Sequence, residues 1–286
     1  MNKKKEILKN LITRALSGGI YVALIFCAIF FIDITPALFV FVFSLFTALG
    51  MWEINKLTSE GDVKAPLISL IDIIGGVAVF ISFFLLYTSG DTKTFWMLPM
   101  LIYLVIRVIV QLYMPSINAV HSLERSFLSI CYVGVPLGLL NSVCAVSHPM
   151  MLLSIFIFLW LNDTGAYLVG SMIGKHRLFE RISPKKSWEG FWGGLIVCII
   201  GSIIIGLYFN DFFHGPTVVQ WVILSIIVSV AGTFGDLAES LIKRTVDVKD
   251  SSHIIPGHGG ILDRIDSMLL AVPASLIFFI IIKHFL

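Results

Sequence analysis

Acidic and basic side chains are interleaved in one stretch, residues 236–266, in a pattern that suits phosphate chemistry. Asp236, Glu239, Ser240 and Lys243 are offset by three, four and seven, which puts them on one face if a helix runs through them. Arg244 and Lys249-Asp250 follow, then Pro256-Gly257-His258-Gly259-Gly260, then Asp263-Arg264-Ile265-Asp266 at the start of an apolar run. Asp263 and Asp266 are three apart, so both can point into one site. Carboxylates at the edge of apolar runs are costly unless paired or metal-bound. Beside Lys243, Arg244, Lys249 and Arg264 they suggest a divalent cation held together with phosphate oxygens, as Mg²⁺ prefers. The glycines let a backbone approach a phosphate, and helix N-termini near the loop add partial positive charge. These parts fit phosphoryl or nucleotidyl transfer, where catalysis is mostly positioning and charge stabilisation. A charged loop that merely anchors helix ends at headgroups does not account for both signs packed among glycines.

A second polar stretch covers residues 162–190. Asn162-Asp163-Thr164-Gly165-Ala166-Tyr167 breaks an apolar run with a carboxylate. Gly-Ser-Met-Ile-Gly-Lys at 170–175 is not a Walker loop: it is one residue short between the glycines, and His176 stands where Ser or Thr is needed. Ser183-Pro184-Lys185-Lys186-Ser187 offers two lysines and two hydroxyls for a nucleotide or headgroup, although a positive-inside anchor with Trp188 at the interface reads equally well from the residues alone. His258, in the glycine loop, is a candidate for phosphate contact or proton transfer. Three other polar residues read as structural: Arg107 as snorkelling or paired, Glu53 as a solvated helix end, His253 as a loop residue.

The elements that must position these groups are membrane helices. Of the 286 residues, 57% are hydrophobic and 13% charged. Such a chain cannot cover a water-facing surface, so the bilayer must be its solvent. Nine apolar runs approach the length of about 20 residues that crosses the hydrocarbon core: 15–33, 36–52, 66–88, 95–113, 127–146, 149–162, 191–209, 217–235 and 267–284. The sixth is short and is expected to continue into 163–174. The expected fold is an all-α polytopic bundle of about nine transmembrane helices, because a lone spanning segment must satisfy its own backbone hydrogen bonds. Most of the 20 Lys and Arg fall on one side of this scheme, which predicts a cytoplasmic N-terminus and an outside C-terminus. The basic N-terminal segment and first run read as a retained span, without the usual small-residue cleavage site of a signal peptide. Two regions are expected: N-terminal transmembrane helices over 1–150, and a catalytic transmembrane region with cytoplasmic motif loops over 151–286. Cys27, Cys131, Cys144 and Cys198 lie far apart in apolar runs and read as buried small side chains. A net charge of +2 gives no argument for a nucleic-acid partner.

The motifs resemble a known family. Residues 240–266 read Ser-Leu-Ile-Lys-Arg, then Lys249-Asp250, Ser252, Ile255-Pro256, His258-Gly-Gly, Ile261 and Asp263-Arg-Ile-Asp266. This is similar to the signature of the phosphatidate cytidylyltransferase, or CDP-diacylglycerol synthase, family, with no departure across the stretch. The Asn162-Asp163-Thr164-x-Ala166-Tyr167, Ser183–Ser187 and Gly235-Asp236-x-x-Glu239-Ser240 segments resemble it too. The resemblance implies an integral membrane nucleotidyltransferase of phospholipid biosynthesis, and the short chain with no extra domain suggests a bacterial inner membrane. CTP and phosphatidic acid would give CDP-diacylglycerol and pyrophosphate, with Mg²⁺ and a possible homodimer.

On that reading Asp236 and Asp263 are the first choices for metal ligands, with Asp266 and Asp163 next. Lys243, Arg244, Lys249 and Arg264 would bind phosphates, with Asp236, Asp263, Lys243 and Arg264 as the catalytic set. Ser183, Lys185, Lys186 and Ser187 would hold the nucleotide or the phosphatidate head, and Gly259 and Gly260 would permit close backbone approach. Two alternatives are a CTP-dependent lipid-alcohol kinase, which moves the γ-phosphate instead of the α-phosphate, and a secondary transporter. The transporter is disfavoured because charge gathers at one face and no repeat is visible. A CDP-alcohol phosphotransferase is disfavoured because its spaced Asp-Gly, Ala-Arg and paired-Asp motif is missing.

Overall fold

The computed structural model describes residues 2–59, 65–89, 94–114, 118–252, 254–255 and 259–285. In chain order the helices are α1 (Asn2–Phe30), α2 (Pro36–Leu57), α3 (Ala65–Ser89), α4 (Leu98–Tyr113), α5 (Ala119–Ser129), α6 (Val135–Val146), α7 (Pro149–Ile173), α8 (Trp188–Tyr208), α9 (Asn210–Phe213), α10 (Val218–Thr245) and α11 (Leu262–Phe285). Among the described residues the fold is all-α apart from one antiparallel hairpin between α7 and α8, β1 (Arg177–Phe179) and β2 (Ser183–Ser187), and one isolated bridge between Ile255 and Gly259.

Helix starts follow from local chemistry. Proline stands in the first turn of α2, α4 and α7, where its missing N–H costs nothing. Asn118 caps α5 by accepting from Val120 N at 2.9 Å, and Ser187 caps α8 by accepting from Gly190 N at 3.1 Å. A π-helical turn, Ile130–Gly134, joins α5 to α6, so Ala119–Val146 forms one continuous span.

Among the described residues, eight helices are long and apolar enough to cross a bilayer, which makes this an integral membrane protein. They correspond to eight of the nine expected runs. The other run falls on Ala15–Phe30, an apolar stretch of α1 below that length. Several helices outlast their apolar runs. The sixth run continues to Ile173 and the eighth to Thr245, while the last begins at Leu262. Their polar ends continue the helices past the point where hydropathy alone would stop them.

The chain forms two compact units. The first comprises Met1–Leu86, Asp91–Val135 and Val246–Ile265. Its core holds Phe39, Phe43, Met51, Ile54 and Phe80, with the Phe39 and Phe43 rings 4.7 Å apart. It also buries an ion pair, Arg107 Nε to Asp72 Oδ1 at 3.1 Å. Tyr103 and Ser126 donate to Asp72, while Arg107 donates to Gln111, Ser122 and Ser126. Arg107 is thus paired and buried, joining α3, α4 and α5.

The second unit comprises Tyr87–Gly90, Pro136–Thr245 and Asp266–Leu286. Its core centres on Trp221, whose Nε1 donates to Asn210 Oδ1 at 2.8 Å, and on Phe156, Phe158, Leu224 and Val228. Cys144 and Cys198 are buried there; in the first unit Cys27 is half-buried and Cys131 exposed.

Candidate active site

In the second unit α7 and α8 touch backbone to backbone. A Cβ on Gly165 would stand 2.9 Å from Val197 and 3.0 Å from Gly194 Cα. Small residues allow this approach between membrane helices. Asn162 ties α7 to α10: its Oδ1 accepts from Ser229 Oγ at 2.6 Å and its Nδ2 donates to Thr233 Oγ1 at 3.3 Å. Where these helices part, they enclose with the hairpin a cavity of about 460 Å³. Asp163, Tyr167, Lys185, Lys186, Ser187 and Asp236 line it. Five of these six are candidates from the sequence; the sixth, Tyr167, stands in the same Asn162–Tyr167 segment as Asp163.

The hairpin gives Lys185 and Lys186 their place. Glu189, in the first turn of α8, accepts from Lys175 N at 3.1 Å and His176 N at 3.2 Å, and its other oxygen meets His176 Nδ1 at 2.6 Å. Arg244 of α10 donates from Nε to the Ile182 carbonyl at 3.3 Å. Ser183 opens β2 opposite Phe179. Lys186 Nζ then stands 2.6 Å from Asp236 Oδ2.

Asp236 follows Gly235, where a Cβ would meet Asp266 O at 2.7 Å and Ser267 O at 3.0 Å. This contact brings α10 against α11. Asp266 consequently feels the negative charges of Asp236 and Asp163 and the positive charge of Lys186. Its Oδ1 accepts from Ser267 N at 2.5 Å, and Asp236 Oδ1 accepts from Ser240 Oγ at 3.3 Å. Lys243 is buried and ion-paired with Glu239 one turn earlier, whereas Arg244 is exposed.

The remaining predicted residues lie in the first unit. Asp263 Oδ2 accepts from Gly260 N at 2.7 Å and Ser251 N at 3.1 Å, and lies 3.0 Å from Ser251 Oγ. Gly259 has φ +81°, and a Cβ there would lie 2.6 Å from Asp263 Oδ2; a Cβ on Gly260 would collide with Ser251 and Glu53. The close approach that these glycines permit is therefore to the protein's own side chains. Lys249 and Arg264 are exposed, and the Arg264 carbonyl accepts from Tyr21 Oη at 2.9 Å. His258, like His253, lies outside the described residues.

Glu53 corrects the sequence reading. It is not a solvated helix end: it is 0% exposed and accepts from Ser252 Oγ at 2.5 Å, Leu262 N at 2.7 Å, Ser251 Oγ at 2.8 Å and Ile261 N at 2.9 Å. The available signal was a carboxylate at the end of an apolar run, which membrane chains rarely tolerate without use. The hairpin and Glu189 were missed because short strands in a charged loop leave no apolar pattern.

Among the described residues no group of three or more His, Cys, Asp and Glu forms a ready-made metal cage. Asp236 and Asp266 bring two carboxyl groups together, with Lys186 paired to the first. That donor set fits a Mg²⁺ ion, which takes one or two carboxylates and completes its shell from phosphates and water.

Fold and cavity together define a polytopic membrane protein with a pocket that gathers lysine and aspartate side chains at the ends of its helices. Residues 12–282 match the model of the cytidylyltransferase family, and the chain belongs to that family of nucleotidyltransferases. It is 35% identical over 283 residues to a phosphatidate cytidylyltransferase of Haemophilus influenzae, covering 91% of this chain and 95% of that one. It is 45% identical over 149 residues to a phosphatidate cytidylyltransferase of Staphylococcus haemolyticus, covering 51% of this chain and 55% of that one.

Proposed function

We propose that the protein transfers the cytidylyl group of CTP to phosphatidic acid, forming CDP-diacylglycerol and pyrophosphate. The observation that carries this reading is the cavity in which Lys186 pairs with Asp236 beside Lys185, Ser187 and Asp163. Its glycine-rich α7–α8 walls and cationic hairpin suit a nucleotide triphosphate.

In the proposed reaction a phosphate oxygen of phosphatidate attacks the α-phosphorus of CTP. The new P–O bond forms as the bond to pyrophosphate breaks, and pyrophosphate leaves with that electron pair. The attacking oxygen is already anionic at neutral pH, so no strong general base is needed. The obstacle is Coulomb repulsion between two polyanions. Lys185 and Lys186 neutralise phosphate charge, the Ser187 hydroxyl offers a donor, and Arg244 steadies the hairpin. Asp236 and Asp266 would hold Mg²⁺, with Asp163 as a further acidic group. Bound there, the ion supplies Lewis-acid polarisation of phosphate oxygens. Asp263 is assigned a ligand role as well, its oxygens oriented by the Ser251 and Gly260 donors. Lys249 and Arg264, both exposed, are assigned to phosphates.

We place the site at the cytoplasmic face of a bacterial inner membrane, because Lys and Arg concentrate in the motif-bearing loops. The test is purified protein in detergent with CTP, Mg²⁺ and phosphatidic acid. Stoichiometric pyrophosphate and CDP-diacylglycerol are expected. Failure to form CDP-lipid with both substrates present would overturn the reading.

A further inference from the structure

We propose that Glu53 is a positioning residue for the cytidylyl transfer, a fixed anionic anchor that holds both flanks of the signature loop. The inference rests on the reading above for its reaction but on different observations for its mechanism. Glu53 sits in α2, nearly two hundred residues before the motifs, and nothing in its own neighbourhood of sequence connects it to them.

Its two carboxylate oxygens receive four donors. Oε1 accepts from Ser252 Oγ and Ile261 N, and Oε2 accepts from Ser251 Oγ and Leu262 N. The hydroxyls lie on the near flank of the loop, and the N–H groups belong to the far flank and to the start of α11. Those amides are unsatisfied helix-start donors, so a buried anion there meets both hydrogen-bonding and dipole preference. Asp263 clasps the same Ser251 from α11, taking its N–H along with Gly260 N, while its Oδ2 lies 3.0 Å from the hydroxyl whose one proton the two carboxylates share. Ser251 is thus held between two carboxylates, and Gly260 has no room for a side chain because Glu53 and Ser251 fill it. A charge-assisted clasp of this kind fixes the orientation of Asp263 and of the first turn of α11. Only an acceptor-only group does it: an amide would put its own N–H against those of Ile261 or Leu262.

The experiment compares wild type, Glu53→Gln and Glu53→Asp as purified full-length protein. Each is assayed for CDP-diacylglycerol at varied CTP, with amide hydrogen exchange read in parallel. For Glu53→Gln the expected result is a fall in kcat of about 100-fold, the scale of a misplacement near 1 Å, with KM for CTP within about threefold, the split expected when transition-state geometry alone is lost. Exchange should accelerate at Ser251, Ile261 and Leu262 while α7, α8 and α10 keep their protection. Glu53→Asp retains an anionic acceptor and should recover at least part of kcat, which also covers the case in which Glu53→Gln fails to fold. Unchanged kcat in folded Glu53→Gln overturns the proposal. So does a loss of activity that only tracks the loss of folded protein, or Glu53→Asp no better than Glu53→Gln. An inactive wild type would instead sink the reaction assigned above, whatever the exchange data show.

Discussion

Lys186 Nζ lies 2.6 Å from Asp236 Oδ2, joining a strand of the hairpin to α10 in the lining of the cavity. Each side chain is partly open to solvent, so the pair itself stabilises the fold by only about 1 kcal/mol at most. Its value is the placement of a cation and an anion at one spot.

Replacing Asp236 with Asn should therefore cost little stability and most of the activity. Cytidylyl transfer should fall by about 100-fold or more, the scale for removing one preorganised electrostatic group. Rate measurements beside thermal unfolding in detergent check this. An unfolding midpoint that collapses along with activity would contradict it.

Gly235→Ala tests the α10–α11 contact. Its new methyl would meet the Asp266 carbonyl at 2.7 Å and the Ser267 carbonyl at 3.0 Å, forcing Asp236 and Asp266 apart. Overpacking of this kind costs about 1–3 kcal/mol. Because the displaced residues carry the proposed chemistry, kcat per folded molecule should fall as well. The same two measurements separate the effects.

The buried pair in the first unit predicts the reverse pattern. Arg107→Met leaves Asp72 uncompensated inside a membrane bundle, at a cost of about 3–5 kcal/mol. Unfolding should shift sharply, while KM for CTP in the surviving folded fraction stays at the wild-type value. Adding Asp72→Asn should recover part of the lost stability, since no lone buried charge then remains.

Glu189→Gln should loosen the hairpin. The carboxylate holds Lys175 N, His176 N and the His176 ring, and a neutral amide holds them less firmly. KM for CTP should rise several-fold, with kcat less affected. Steady-state kinetics at saturating phosphatidic acid would register the difference.

How far the sequence reveals this arrangement depends on the physics of each part. The spans are legible because about 20 apolar residues in a row have one stable form in lipid. Asp163, Lys185, Lys186, Ser187 and Asp236 are legible because polar groups stand out against that background. Glu53 is not, because its partners Ser251, Ser252, Ile261 and Leu262 come from the far end of the chain, and only the folded structure brings them to it. The Glu239–Lys243 pair has the right spacing in sequence, yet spacing says nothing of its burial. Helix ends are misjudged for a related reason: α10 reaches Thr245 on side-chain pairing rather than on hydropathy.

The most direct measurement follows the phosphorus. CTP labelled at the α-phosphate, incubated with the purified protein, Mg²⁺ and phosphatidic acid, should pass its label into the lipid fraction as CDP-diacylglycerol and leave the pyrophosphate unlabelled. Lipid that takes up label only from γ-labelled CTP, or from neither, would contradict the account.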